Sequence, residues 1–295
     1  MNIILSSQEY DVTVNTLGAE LKSYRDPSGR EYVWNSDPAY WMRSSPLLFP
    51  TVGNVRDNKT QFNGVEYPLV KHGFCKESEF TVRDQTENSA VFVLTASDET
   101  KKSYPFDFEL QLKYQLNGSS LSMTYTVLNR DTKEMYYHIG AHPGFMCPLN
   151  EGESLSDYVL EFEKEERLES TVYDLENLCF DHARHKLFAE HARRLPLSAE
   201  MFDDDAIFFP HTASHAVSLI NPATGHGVHM EYPDFVSIAF WTPIGGQAPF
   251  LCLEPWNGAA IYDDEDNEFC HKRDIQVLAP SSSRNYQLNI SLLVS

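Results

Sequence analysis

The chain of 295 residues carries 23 Lys and Arg against 43 Asp and Glu, a formal net charge of −20. That balance argues against general nucleic-acid binding, which draws its affinity from neutralising phosphates with a basic face. With 42% hydrophobic and 22% charged residues the chain can bury a large core, which excludes wholesale disorder.

The N-terminal segment, MNIILSSQEYDV, has no basic stretch leading into an apolar one, and apolar runs such as Pro46–Val52 fall far short of a bilayer span. No membrane partner is expected, and a soluble cytoplasmic protein is the default. Cys75, Cys147, Cys179, Cys252 and Cys270 are odd in number and scattered without a CxxC pair, which fits a reducing compartment.

Along the chain, Phe80–Val82 and Ala90–Leu94 are the first short runs with strand character. Phe108, Leu110, Leu112, Tyr114 and Leu116 then share one face of an extended segment, with Glu109, Gln111, Lys113 and Gln115 on the other. After Asn117-Gly118-Ser119-Ser120 the alternation resumes with Leu121, Met123, Tyr125 and Val127, so the spacing predicts a β-hairpin. Tyr158–Phe162 reads as a strand, and Asp181–Arg194 (DHARHKLFAEHARR) as a possible helix. Further strands are expected at Val217–Ile220, Val228–Tyr232, Val236–Trp241 and Tyr286–Val294, most bounded by Gly, Pro, Asn or Asp. Many short strands without alternating helices predict an all-β antiparallel sandwich or barrel. The length suits two average domains, yet such folds run to about 200–250 residues as one; no repeat or linker marks a boundary, and one large domain stays open.

Three motifs set an ionisable group among residues that shape tight turns: His72 in Lys71-His72-Gly73-Phe74, His142 in Gly140-Ala141-His142-Pro143-Gly144-Phe145, and Glu254 in Leu253-Glu254-Pro255-Trp256. A carboxylate within the apolar run Pro249–Trp256 is costly unless paired, because burial disfavours its charged form. A satisfied core carboxylate is the competing reading there, and a hydrogen-bonded turn competes at each histidine. His138 lies four residues before His142, on the same face of a strand that Pro143 would end. His182-x-x-His185, His226-x-x-His229 and Cys270-His271 lack the spacing of a metal site, and no nucleophile elbow, Walker loop or dinucleotide loop is present. Acid–base chemistry with His and Glu, or ligand binding by aromatic and polar groups, remains.

Taken in order, Asn15–Leu21, Pro46–Pro50, Lys71–Phe74, Tyr104–Phe106, His142–Phe145, Trp241–Pro243 and Leu253–Trp256 make the chain resemble the aldose 1-epimerase (galactose mutarotase-like) superfamily, more closely its bacterial LacX-like branch. The resemblance spans most of the chain. It implies a single β-sandwich over residues 1–295 with few short helices, a cleft for a small-molecule hexopyranose, interconversion of α and β anomers, no metal or organic cofactor, and a monomer or homodimer. Carried onto this sequence, it implies Glu254 as general base, His142 as general acid, His72 as a sugar contact beside the acid, and Asp205 (or its neighbour Asp204) as a binder of sugar hydroxyls.

Those residue types suit the reaction. A Glu254 carboxylate would take the anomeric proton while protonated His142 donates to the ring oxygen, opening the hemiacetal; rotation and the reverse transfers give the other anomer. Ordinary pKa values of about 4.3 and 6.5 leave a window in which both are correctly charged. Trp41, Trp241 and Trp256 could cover apolar sugar faces, Trp256 above all because it neighbours Glu254. One departure is that an arginine the resemblance would place on the sugar hydroxyls falls at Asn54; Arg56, two residues on, would reach the same side of an extended segment. A phosphorylated hexose would need a basic cluster, for which Arg43, Arg56, Lys59 and Lys71 are candidates. A non-catalytic sugar-binding protein on the same fold is the alternative, and the retained His72, His142 and Glu254 favour the enzyme.

Overall fold

Antiparallel ladders organise the computed structural model, which describes residues 1–294. The hairpin read from sequence is its spine. Phe108–Asn117 pairs with Ser120–Asn129 in unbroken register from Asn117 opposite Ser120 to Asn129 opposite Phe108. Gly118 at the turn has φ +56°, the left-handed value that a glycine adopts without strain at the first position of a tight hairpin turn.

On one side of the hairpin, Ser89–Thr95 and Thr81–Gln85 complete the nine-stranded sheet; on the other lie Ser283–Leu293, Gly227–Glu231, Ala216–Ile220, Val159–Asp174 and, at the edge, Cys179–Pro196. Facing it, a six-stranded sheet comprises Ile207–Phe209, Ser237–Trp241, Phe250–Asn257, Ile139–Ala141, Leu47–Leu48 and Gly144–Met146. A three-stranded meander, Asn2–Ser7, Tyr10–Asn15 and Glu20–Arg25, and two small ribbons complete the ladders. The sandwich core follows from alternation: Leu110, Leu112, Leu121, Met123, Leu288 and Ile290 of the large sheet share one buried cluster with Ile238, Phe240, Leu251 and Leu253 of the smaller one. Among the described residues the helical segments are 3-10 turns of three or four residues, and no helix is long and apolar enough to cross a membrane.

The helix expected over Asp181–Arg194 is instead part of the edge strand Cys179–Pro196, antiparallel to Val159–Asp174. Tertiary pairing overrides local propensity there. Repeated register shifts along the pair and exposure on both faces erase the two-residue period that would have marked a strand. The strand at Val159 likewise continues to Asp174, well past Phe162.

Candidate active site

The strand Phe250–Asn257 is buried throughout, and its period of two divides its side chains. Leu251 and Leu253 join the main core, while Cys252 and Trp256 belong to separate clusters on the opposite face, the face that Glu254 shares with them. Two short strands flank this one on the same side. Ile139–Ala141 places Gly140 opposite Trp256, and Gly144–Met146 places Gly144 opposite Cys252. His142-Pro143 occupies the break between them, and continuing the register sets His142 opposite Glu254. Directly opposed residues in an antiparallel pair bring their side chains together. Gly140 is small by necessity: a Cβ there would lie 2.8 Å from Cδ1 of Trp256.

His142 Nε2 accordingly lies 3.2 Å from Glu254 Oε2, with the two side chains 9% and 2% exposed. The contact is not aligned as a hydrogen bond: Glu254 Oε2, His142 Nδ1 and Trp256 Nε1 are all buried without a partner. Burial pushes the Glu254 carboxyl well above the usual range, a rise that nearby Asp205 reinforces and that Lys71 and the Trp256 indole oppose. Burial, and then the Lys71 ammonium, pull the His142 imidazole down to about 3. Each charge is thus disfavoured alone, but a neutral acid beside neutral imidazole holds the same number of protons as carboxylate beside imidazolium. One proton transfer interconverts them, and polar groups entering the cavity can supply the solvation that burial removed.

A cavity of about 280 Å³ opens onto this pair. It is small for a ligand pocket, where about 300–1,000 Å³ is usual, and suits a single ring. His72 stands in its wall, on a turn where His72 and Gly73 have φ +65° and +70°. The Gly53 amide donates to His72 Nδ1 at 3.1 Å, so the neutral imidazole carries its proton on Nε2. Burial, then Lys71 and His142, hold His72 well below its ordinary pKa. The Lys76 ammonium donates to the carbonyls of Lys71 and Gly73 at 2.7 and 2.6 Å and ties the turn down. Trp41 stacks on His142 with ring centres 4.9 Å apart, and Trp241 meets the same imidazole edge-on at 5.6 Å. Trp241 also donates its indole N–H to Asp205 Oδ1 at 2.7 Å.

Of the residues singled out from sequence, His72, His142, Glu254, Asp205, Asn54 and Trp256 line this cavity together, with Trp41 and Trp241. Asp204 does not: its carboxylate pairs with Lys186 at 3.2 Å. Arg56 is a correction. Arg56–Asn58 forms a turn with Asp57 and Asn58 at positive φ, so the segment is not extended, and the guanidinium donates to the carbonyls of Tyr262 and Glu265 instead of reaching the cavity. Lys59 is likewise absent from the wall and pairs with Glu66. Arg43 does line the cavity, but Glu20, Glu77 and the Lys76 carbonyl occupy its guanidinium. Lys71 and Lys76 are the wall's cations without a carboxylate in salt-bridge contact among the described residues.

Sequence reasoning missed Lys76, Tyr173 and Phe180. The last two come from the edge hairpin whose second strand reads as a helix, and the one available signal was their aromatic character in a polar stretch. Two donor sets have the spacing to hold a metal ion: His142, Cys252 and Glu254 in the cavity wall, and Asp181, His182 and Asp263 at the surface, each within 4.8 Å of one another. Burial raises the Cys252 thiol well above its ordinary pKa, which keeps it protonated.

Residues 1–272 match the aldose 1-epimerase family, and the chain belongs to that family. The protein LacX of Lactococcus lactis subsp. lactis, in its plasmid form, is 34% identical to it over 298 residues, covering 98% of this chain and 99% of that one. Among solved structures, a galactose mutarotase related enzyme from Lactobacillus acidophilus superposes with a TM-score of 0.92 at 28% identity, over 99% of this chain and 97% of its own. A galactose mutarotase-like protein from Lactobacillus casei ATCC 334 does so with a TM-score of 0.92 at 27% identity, over 99% and 100%.

Proposed function

We propose that the chain is an aldose 1-epimerase acting on a hexopyranose, with Glu254 as general base and His142 as general acid. The observation that carries this reading is the opposed pair: two buried proton-transfer groups 3.2 Å apart with unpartnered atoms, at the wall of a cavity sized for one sugar ring. A ring oxygen and an anomeric hydroxyl are both bonded to C1 of a pyranose, and an acid and a base held side by side at the cavity wall can address such a pair. As the sugar enters, its hydroxyls replace the solvation that the imidazolium and carboxylate lack. His142 then donates to the ring oxygen while Glu254 takes the anomeric proton, and the reverse transfers close the other anomer. His72 offers its Nε2–H and Asp205 its carboxylate to the remaining hydroxyls, while Trp41, Trp241 and Trp256 cover C–H faces.

A phosphorylated hexose is the second reading, favoured by Lys71 and Lys76, cations on the wall of a strongly acidic protein. Mutarotation of fresh α-D-glucose and α-D-galactose by polarimetry, with an anomer-specific coupled assay for glucose 6-phosphate, tests both. The account predicts acceleration that Glu254→Gln loses. Saturable sugar binding without acceleration would establish a sugar-binding protein instead.

A further inference from the structure

Tyr173 is the penultimate residue of the strand Val159–Asp174, and the turn that follows returns the chain to Phe180; both aromatic residues line the cavity. Asn54 fixes this hairpin from the other side, donating one amide proton to Tyr173 Oη at 2.7 Å and the other to the Leu178 carbonyl at 3.2 Å. Phe180 holds the phenol ring edge-on, with centres 5.5 Å apart. The residue is 8% exposed, and the Phe180 packing with the Asn54 hydrogen bond holds ring and hydroxyl in place. In the Asn54 contact the phenol oxygen accepts. Its own proton is therefore left over, and among the described residues Tyr173 donates no hydrogen bond.

We infer that Tyr173 is a substrate-binding residue whose hydroxyl donates to a sugar hydroxyl, with Asn54 as the positioning residue that orients it. The inference rests on the epimerase reading of this cavity. Burial and the neighbouring Asp205 charge raise the phenol's pKa, so it stays a donor at any working pH. Asp205 has one oxygen committed to Trp241 and the other free to accept. A lone donor beside a free acceptor matches two neighbouring hydroxyls of one ring, each of which both gives and takes a proton. The ligand class is thus a polyol ring, with Tyr173 selecting for the presence of a hydroxyl at one carbon.

The test is steady-state mutarotation by wild type, Tyr173→Phe and Asn54→Ala on glucose, galactose and a panel of single-position deoxyhexoses. Loss of one neutral hydrogen bond corresponds to about a three- to tenfold change. Tyr173→Phe should raise KM by about that factor with kcat within twofold, and the penalty should vanish for the one deoxyhexose lacking the contacted hydroxyl. Asn54→Ala should raise KM in the same sense and flatten discrimination across the panel. An unchanged KM on every sugar, or an equal penalty on every deoxyhexose, would overturn the assignment. If wild type accelerates no sugar, the epimerase reading fails on its own. Glucose titrated against tryptophan fluorescence then decides for Tyr173: a Kd weakened by the same factor in Tyr173→Phe supports it, and an unaltered Kd refutes it.

Discussion

Replacing Gly73 with alanine should damage the site through backbone geometry alone. Gly73 sits at φ +70°, and a Cβ there would lie 2.1 Å from the Phe49 carbonyl oxygen, 2.5 Å from its carbon and 2.7 Å from Pro50 N. All three are backbone atoms of a segment packed beneath the site, so relief to a tolerable 3.0 Å requires the His72 turn to move by about 0.9 Å (3.0 − 2.1). The left-handed conformation costs an alanine about 1–2 kcal/mol, and overpacking against rigid neighbours adds about 1–3 kcal/mol. At about 2.1 cal/mol/K of unfolding entropy per residue, a loss of about 3 kcal/mol lowers Tm by about 5 °C in a chain of this size. A displacement near 1 Å in a positioned site costs about 10²-fold in rate, and kcat/KM should fall by that order. Gly64→Ala is the control: φ is +74° but nothing lies within 4 Å of the added carbon, so only the conformational cost applies and activity is kept. Calorimetry and polarimetry on both variants decide the matter. If Gly73→Ala matches Gly64→Ala in Tm and keeps wild-type kcat/KM, the close approach does not position His72.

Activity should persist far below the ordinary histidine range. The working state holds one proton between Glu254 and His142; a second is added only near pH 3, and the last is lost only above the elevated Glu254 pKa. The profile of kcat/KM should therefore lack a limb near 6.5, and a limb there would show His142 to be solvated. Glu109 bridges Arg83 and Arg130 at 2.6 and 2.9 Å across the edge of the large sheet, and first the Arg83 hydrogen bond lowers its pKa from 4.5 to about 2. A depressed folded pKa contributes stability above the unfolded value that is lost as pH falls from 4.5 toward about 2. Glu109→Gln should cost roughly 1–2 kcal/mol at pH 7, discounted because both arginines are half exposed. The gap in urea midpoint between Glu109→Gln and wild type should narrow as pH falls below 4.5 and close only at about pH 2, and a gap of constant size would rule out the linkage.

The alternation of Phe108–Leu116 and Leu121–Val127 made the central hairpin legible, because one face meets the core and the other meets solvent. The edge strand Cys179–Pro196 was not, since exposure on both faces and repeated bulges remove that signal. His72, His142 and Glu254 could be picked out as polar residues in apolar or turn-forming settings. Their convergence could not, because it depends on a register that passes through the break at His142-Pro143. Arg56 failed for a local reason: two consecutive residues at positive φ turn its segment away. Tyr173 was hidden by the misread hairpin that carries it.

Polarimetry of freshly dissolved α-D-glucose and α-D-galactose with wild type and Glu254→Gln tests the opposed acid–base pair most directly. The substitution preserves size at a fully buried position and removes the proton acceptor. The account predicts acceleration by wild type and none by Glu254→Gln, with sugar binding and Tm retained. Undiminished acceleration by Glu254→Gln would contradict it.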